Sequence, residues 1–547
     1  MPGTIDGEVL EFGSGLPLVG ASVQAGEVTT TTDDRGRFHL VLAPGNVDVV
    51  VTAADHVTAT FLEEVVTERR FEVQYRLERY TWDEEMVVYG ETREDVARTV
   101  ISVEELRRVP GGFGDPLRAL QSLPSVARGP ELSGDIIVRG AEAQNTAAYV
   151  DGIKIPYMFH FFVGRSVVDP GQIQDIEFFP GAVPPRYGDV AQAVVNARTT
   201  FEPAEPGVHG RVHFDLLEAG VSLSANLGEH WTIRFGGRRS WISSVINTSI
   251  WGYRQVQGLN DPAYRPATFK VPYRDQMLRL IRHDGHHRFS FTLLGATDGI
   301  EYVPEWIDED GDGKADKPEP PPLQPYDPNL IFESKFVRGQ LRWDYQVPGH
   351  TSSSWVIVGR DAIQNLVPGL GLYGANGLEY QALDQGWFSV GNDSNHLLNE
   401  DIDVRFGGDV TVQPGAITAI LELPGPEATT RATRVYAGPF VEVPWTIGQS
   451  RLAPGFRLSI HHLIGDVVVS PEPRMGFRTA VDPHWSFVAY AGLLSQGPTL
   501  LNAGTGPATG TLDVLRAVQS TVGFEARWPS GIGLDLNLYE TEMWDQP

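Results

Sequence analysis

One stretch of this sequence has the residue types and spacing to hold a metal ion. In DEDGDGKADKPE, Asp308, Asp310 and Asp312 recur at every second residue, and Asp316 and Glu319 come after them. Calcium requires many hard oxygens around one point, and alternate carboxylates turn inward as a loop curls. Gly313 permits the sharp bend, and the Lys314 carbonyl supplies a backbone oxygen. Pro304 precedes the stretch and Pro318, Pro320, Pro321 and Pro322 lie at its end, so no helix can leave it. The expected cofactor is a structural Ca2+ held by Asp308, Asp310, Asp312, Lys314, Asp316 and Glu319, whose effect is to stiffen a loop.

Other clusters are weaker. His283, His286 and His287 could ligate a metal, but in a short turn they read as solvated side chains. The aromatic run Ile155–Phe162 has two readings. Tyr157, Phe159 and His160 either touch a ligand at the tip of a loop or pack against a neighbouring surface. There is no cysteine, and neither HExxH, GxSxG nor a phosphate-binding loop occurs. The expectation is that the chain is not an enzyme.

The elements that position these residues are mostly strands. The chain has 547 residues, of which 41% are hydrophobic, with 59 glycines and 39 prolines. That composition suits many strands joined by turns. A net charge of -27 disfavours nucleic acid as a partner. No run of about twenty apolar residues exists to form a membrane-crossing helix. The start MPGTIDGEVL shows no basic region leading into an apolar core, so no signal peptide is expected within it.

Residues 1–79 read as a small β-sandwich, with strands expected at Ile5–Leu10, Ala21–Ala25, Arg37–Leu42, Val47–Ala53 and Phe71–Leu77. Residues 80–93 form a charged linker. Within it Glu84, Glu85, Met86, Val87, Val88 and Tyr89 make an extended segment able to add to a partner's sheet edge, or to be the first strand of the next domain. Residues 94–204 read as a mixed domain. Ser102 with Glu105 forms a capping box, and Asp115-Pro116 opens a helix that Pro124 ends. Asp151-Gly152 turns a hairpin, and Gly181 and Gly188 flank a loop.

From residue 205 to 547 the pattern alternates. Phe289, Phe291 and Leu293 interleave with Ser290 and Thr292, and Leu341, Trp343 and Tyr345 with Arg342 and Asp344. Short turns are expected at Leu227–His230, His283–His287, Val347–Ser352, Asn392–Asn395, Ile447–Ser450, Val481–His484 and Trp528–Gly531. Long connections are expected at Ile246–Arg265, Asp298–Pro328 and Ser495–Thr511. Short and long connections alternating between about fifteen strands is the pattern of an outer-membrane barrel.

Four resemblances rest on these residues. Arg139, Gly140, Asp151 and Gly152, then Ile176, Glu177, Pro180, Gly181, Tyr187, Gly188, Asn196 and Thr199, resemble the two blocks of the plug domain of TonB-dependent outer-membrane receptors. Gly7, Val9, Pro17, Gly20, Ala21, Val23, Asp33, Gly36, Phe38, Pro44 and Gly45 resemble the carboxypeptidase regulatory-like, transthyretin-like sandwich. The acidic loop resembles an EF-hand loop without its helices, and Glu84–Tyr89 resembles a TonB box.

The resemblance implies a mainly β protein: a transthyretin-like sandwich, an α+β plug and an antiparallel transmembrane β-barrel. Because such barrels have more strands and an aromatic last residue, the expectation is that this one is C-terminally incomplete. It further implies import of a scarce ligand through a plugged barrel in the outer membrane, with the first domain in the periplasm. The expected partners are the TonB C-terminal domain, membrane lipid and a small ligand of unknown identity. The alternative is a surface binding or adhesion protein anchored by the barrel.

Overall fold

The computed structural model describes residues 2–11, 17–26, 28–53, 56, 58–65, 70–77, 99–102, 112, 115–128, 136–160, 164–201, 207–228, 230–256, 264–265, 268–303, 306–307, 330–366, 380–420, 428–465, 467–482, 484–505, 512–528 and 533–545. The chain divides into two compact units, Met1–Arg93 and Glu94–Pro547.

The first unit is a seven-strand sandwich. One sheet orders Arg37–Leu42, Gly3–Glu11 and Arg70–Leu77; the other orders Val28–Thr31, Ser22–Ala25, Gly45–Thr52 and Ala59–Val65. Alternate residues enter one core, in which Ile5, Val9, Val23, Leu40, Val49 and Val51 are buried. Phe38 and Phe61 both stack on Tyr75. Gly7 is required by this packing, since a Cβ there would lie 2.6 Å from the Phe38 ring. The sequence did not signal Val28–Thr31, hidden among turn residues, or Ala59–Val65, where Glu63-Glu64 breaks the alternation.

The second unit holds two layers. Its inner part is a five-stranded sheet ordered Ile153–Ile155, Thr146–Val150, Ala193–Thr199, Ile173–Phe179 and Thr99–Ser102. Only the pairing of Thr146–Val150 with Ala193–Thr199 is parallel. Asp115 caps the short helix Pro116–Ala119 by accepting from the Leu117 and Arg118 amides, with Pro116 at the first position. The helix is shorter than expected and tightens into a 3-10 turn, Leu120–Ser122. Leu117 and Leu120 enter the core beneath the sheet.

The outer part is one antiparallel sheet of seventeen strands running in sequence order from Val208–Phe214 to Gly533–Trp544. Two of these, Thr268–Lys270 and Trp445–Ile447, are short continuations of their neighbours, which leaves the fifteen expected. The long strands, such as Leu330–Val347 and Tyr380–Asn399, exceed the roughly ten residues a tilted strand needs to cross a bilayer. Among the described residues the first and last strands are not paired with each other.

The wall is inside-out relative to a water-soluble sheet. Phe291, Leu341, Val358 and Leu536 are exposed, while Thr292, Gln340, Arg457 and Gln519 on the opposite face are buried. An apolar face turned outward and a polar face turned inward is the arrangement of a wall solvated by lipid.

Two expectations about connections need correction. Asn392–Asn395 is not a turn. Tyr380–Asn399 runs through it and reverses at 400–401, because Asn392 donates to Ser352 Oγ and Ser354 Oγ across the strands at 3.0 and 2.9 Å. The long connections also differ in extent: Asp298 lies inside strand His287–Val303, and the other two carry helices, Ile242–Val256 and Leu500–Thr505. In the second, Leu500 drops into a small core with Leu383, Ile417 and Leu463.

Candidate functional site

The chemistry of the second unit is concentrated on the seam between the inner domain and the wall. Asp151 and Gly152 adopt φ of 50° and 81°, the left-handed pair that closes a two-residue hairpin. That geometry aims the Asp151 carboxylate at the next strand, where it accepts from Thr199 N and Thr199 Oγ1, both at 2.8 Å. Arg279 of the wall donates to the same carboxylate and to Thr199, and its Nε donates to Thr292 Oγ1 at 3.1 Å. The Phe201 ring lies 4.1 Å from the Arg279 guanidinium carbon, a cation–π contact.

A second group surrounds Glu177. Its carboxylate accepts from Tyr187 OH at 3.2 Å and Asn196 Nδ2 at 3.1 Å, with Arg186 3.8 Å away. Burial, and then the Glu177 charge, hold the Tyr187 phenol well above its ordinary range, so it remains a donor.

The loop that carries Tyr187 meets another group of wall strands. Arg474 Nη1 donates to the carbonyls of Val183, Pro184 and Tyr187 at 3.1, 2.8 and 3.0 Å. Arg457 Nη1 donates to the Pro185 carbonyl at 3.0 Å, and Tyr490 OH to that of Val183 at 3.1 Å. Gly188 serves this approach rather than a chain reversal: a Cβ there would lie 2.1 Å from Arg457 Nε. The same holds for Gly181 beside Arg139; the positive φ angles fall on Ala182 and Asp189 instead. Asp189 accepts from Lys154 Nζ at 2.9 Å, from the Gly497 amide at 3.1 Å and from Arg434. Burial opposes ionisation, but Arg434 and Lys154 outweigh it and hold this carboxyl well below its usual range.

His160 sits at the other end of the seam, fully buried and stacked on Tyr273 at 4.5 Å. Its Nε2 donates to Asp275 at 2.9 Å and its Nδ1 to Asp298 at 2.9 Å. Burial lowers its pKa, but Asp298 and Asp275 outweigh that and hold it up at about 9. The folded pKa thus exceeds the unfolded value near 6.5. The stabilisation is complete below about pH 6.5 and is lost as pH rises through about 9, and it amounts to roughly 3 kcal/mol. Melting of the purified protein should therefore fall between pH 7 and 10, and His160→Gln should flatten that slope. An equal slope in the variant would place the titration elsewhere.

Tyr157, Phe159 and His160 are all drawn into this seam. Tyr157 meets Phe336 edge-on at 5.2 Å, and Phe159 is buried in the core shared with Met277, Leu294 and Phe336 of the wall. His283 is buried at a strand end, not solvated, and His287 stacks against Trp343 and accepts from its Nε1 at 3.1 Å. Among the described residues no histidine or carboxylate cluster is arranged to hold a metal. Glu84–Tyr89 and Asp308–Glu319 lie outside the described residues. The sequence reading missed the wall arginines 279, 434, 457 and 474. Their signal was a charge in the inward phase of an alternating strand.

One small domain thus contacts Arg279, Ser334, Arg434, Arg457, Arg474, Tyr490 and Gln519, residues spread over most of the wall. A sheet can present one face to a single domain from so many strands only by curling around it. The class is therefore a β-wall wrapped around its own plug. Residues 92–195 match the TonB-dependent Receptor Plug Domain family.

Solved structures share the fold. A mutant ferric enterobactin receptor from Pseudomonas aeruginosa, in complex with enterobactin, superimposes with a TM-score of 0.58 at 15% identity, over 83% of this chain and 72% of that one. The siderophore receptor PirA from the same organism gives 0.56 at 16%, over 82% and 75%. The FrpB iron transporter from Neisseria meningitidis gives 0.56 at 14%, over 81% and 72%. None of the curated proteins matches the chain.

Proposed function

We propose that this chain is a TonB-dependent outer-membrane receptor that imports a scarce ligand through its plugged barrel. The observation that carries this reading is the interface between plug and wall: the wall's inner face is occupied by a separate domain held through hydrogen bonds and ion pairs as well as shared apolar clusters. The polar contacts can be exchanged for water at modest net cost, which suits a domain that must rearrange. A barrel serving only as an anchor gains nothing from a plug, so the adhesion alternative is not favoured. Ferric enterobactin, named for one of the structural neighbours, is the first ligand to try. Uptake by intact cells, compared with and without residues 84–89, tests the reading: an importer loses uptake and retains surface binding, whereas an anchored adhesin binds but shows no uptake in either form.

The finer parts belong to the same proposal. Glu84–Tyr89 is the segment that TonB engages. The first unit is a carboxypeptidase regulatory-like domain, which its glycines support: Gly20, Gly36 and Gly45 all take positive φ at turns. It lies in the periplasm.

Asp308, Asp310, Asp312, Lys314, Asp316 and Glu319 bind Ca2+ in an outer loop. Titration calorimetry of the purified protein should show saturable heat at millimolar calcium or below, lost in Asp308→Asn with Asp312→Asn; no heat in the native protein would reject the site.

A further inference from the structure

We propose that the seam carries an anion-binding site between the plug and the first strands of the wall, built for a compact ligand bearing phosphate or clustered carboxylates. A cleft of about 270 Å³ opens there, bounded by Gly171–Gln172 and Thr199–Thr200 of the plug and by strands Val208–Phe214, Glu218–Asn226, Trp231–Ser240 and Tyr273–Asp284. In a chain of net charge -27, this cleft is lined among the described residues by Arg211, Arg234, Arg279 and His209 and by no carboxylate. Hydroxyls of Ser224 and Thr200 supply neutral hydrogen-bonding groups beside them. Focusing of one sign of charge in a low-dielectric cleft raises the local concentration of the opposite ion.

Two details show that the cleft is built rather than left over. Gln172 lines it, and among the described residues its buried amide nitrogen and oxygen have no hydrogen-bond partner. An unmade hydrogen bond on a buried amide costs about 1–3 kcal/mol, so a small turn of this side chain toward an occupant that supplies one is favoured. The side chain reaches this position only because residue 236 is glycine: a Cβ there would lie 2.1 Å from Gln172 Nε2. The plug turn is fixed against the wall by Asp169, which accepts from the Gly171 amide at 2.9 Å and from Ser222 Oγ. Arg211, for its part, is exposed and has no hydrogen-bond or ion-pair partner among the described residues.

Arg279 gives the site a consequence. Its guanidinium faces the cleft and also holds the Asp151 hairpin of the plug. An anion in the cleft competes with Asp151 for it, so occupancy loosens the plug where the wall grips it. The site lies toward the short-turn ends of the strands, since Arg234 stands opposite Arg279, near the start of Trp231–Ser240. The binding step stands on its own; only its place late on an import route rests on the proposed function.

Calorimetry of the full chain in detergent at low salt, with inorganic phosphate and with citrate, tests this. Saturable binding of at least one anion is expected, weakened tenfold or more by Arg211→Gln and by Ser224→Asp, and unchanged by Arg360→Gln, an exposed arginine paired to Asp384 elsewhere on the wall. Preference for phosphate indicates a phosphate-bearing ligand, and preference for citrate a polycarboxylate. Arg211 and Ser224 are not core residues, and far-ultraviolet dichroism confirms that each variant folds. No saturable binding of either anion, or binding that both cleft variants leave intact, overturns the proposal. Anion binding that persists in a chain unable to import would sink the importer reading and leave this one standing.

Discussion

Removing Glu84–Tyr89 should reduce uptake to background while ligand binding at the cell surface is unchanged. The sequence of this segment is rich in β-branched and acidic residues, a pattern suited to pairing as an edge strand with the TonB C-terminal domain. Several backbone hydrogen bonds at about 0.5–1.5 kcal/mol net each give a few kcal/mol. Affinity of the purified chain for that domain should therefore fall by roughly a hundredfold or more on deletion. Pulling requires that connection, so the effect on transport is all-or-none, whereas ligand contacts made at the opposite end of the barrel are untouched. Deletion that leaves both TonB affinity and uptake intact would remove the mechanism.

The second large effect is expected at the plug's grip on the wall. The Asp151 and Arg279 side chains are 2% and 1% exposed. Arg279→Ala leaves the buried carboxylate accepting only from Thr199, with Arg342 as the cation still near it, a loss of about 3–5 kcal/mol by analogy with other broken buried pairs. Hydrogen exchange in the hairpin at residues 146–155 should accelerate by roughly a hundredfold or more. Arg279→Ala combined with Asp151→Asn should cost less than the sum of the two single changes, because the second removes the charge that the first strands. Unchanged exchange in Arg279→Ala would mean that the hairpin is held by packing alone.

The sequence was most legible where local physics decides. Asp151-Gly152 announced its hairpin because few other pairs accept two positive φ angles. The interleaving of Phe289, Phe291 and Leu293 with Ser290 and Thr292 announced a strand with two unlike faces, but not which face was wet. That was decided by what the sheet encloses, a non-local fact. Gly181 and Gly188 were recognised for the wrong reason, since their need is for arginines to approach: Arg139 of the same domain at Gly181, and Arg457 of the wall, hundreds of residues away, at Gly188. NDSN at 392–395 failed as a turn because cross-strand hydroxyls satisfy it. Of the two readings of His160 the packed one describes its buried position, but Asp275 and Asp298 could not be foreseen as its partners.

The central claim is that residues from Val208 onward form a wall with its apolar face toward lipid and its polar face around the plug. The chain has no cysteine, so single cysteines at Phe291, Thr292 and Leu293 can each carry a nitroxide in a lipid bilayer. The account predicts high collision rates with oxygen at 291 and 293, and low rates with both oxygen and a water-soluble nickel complex at 292, which is buried. Nickel reaching 291 and 293 as readily as oxygen would put that face in water, and the wall would be that of a soluble protein.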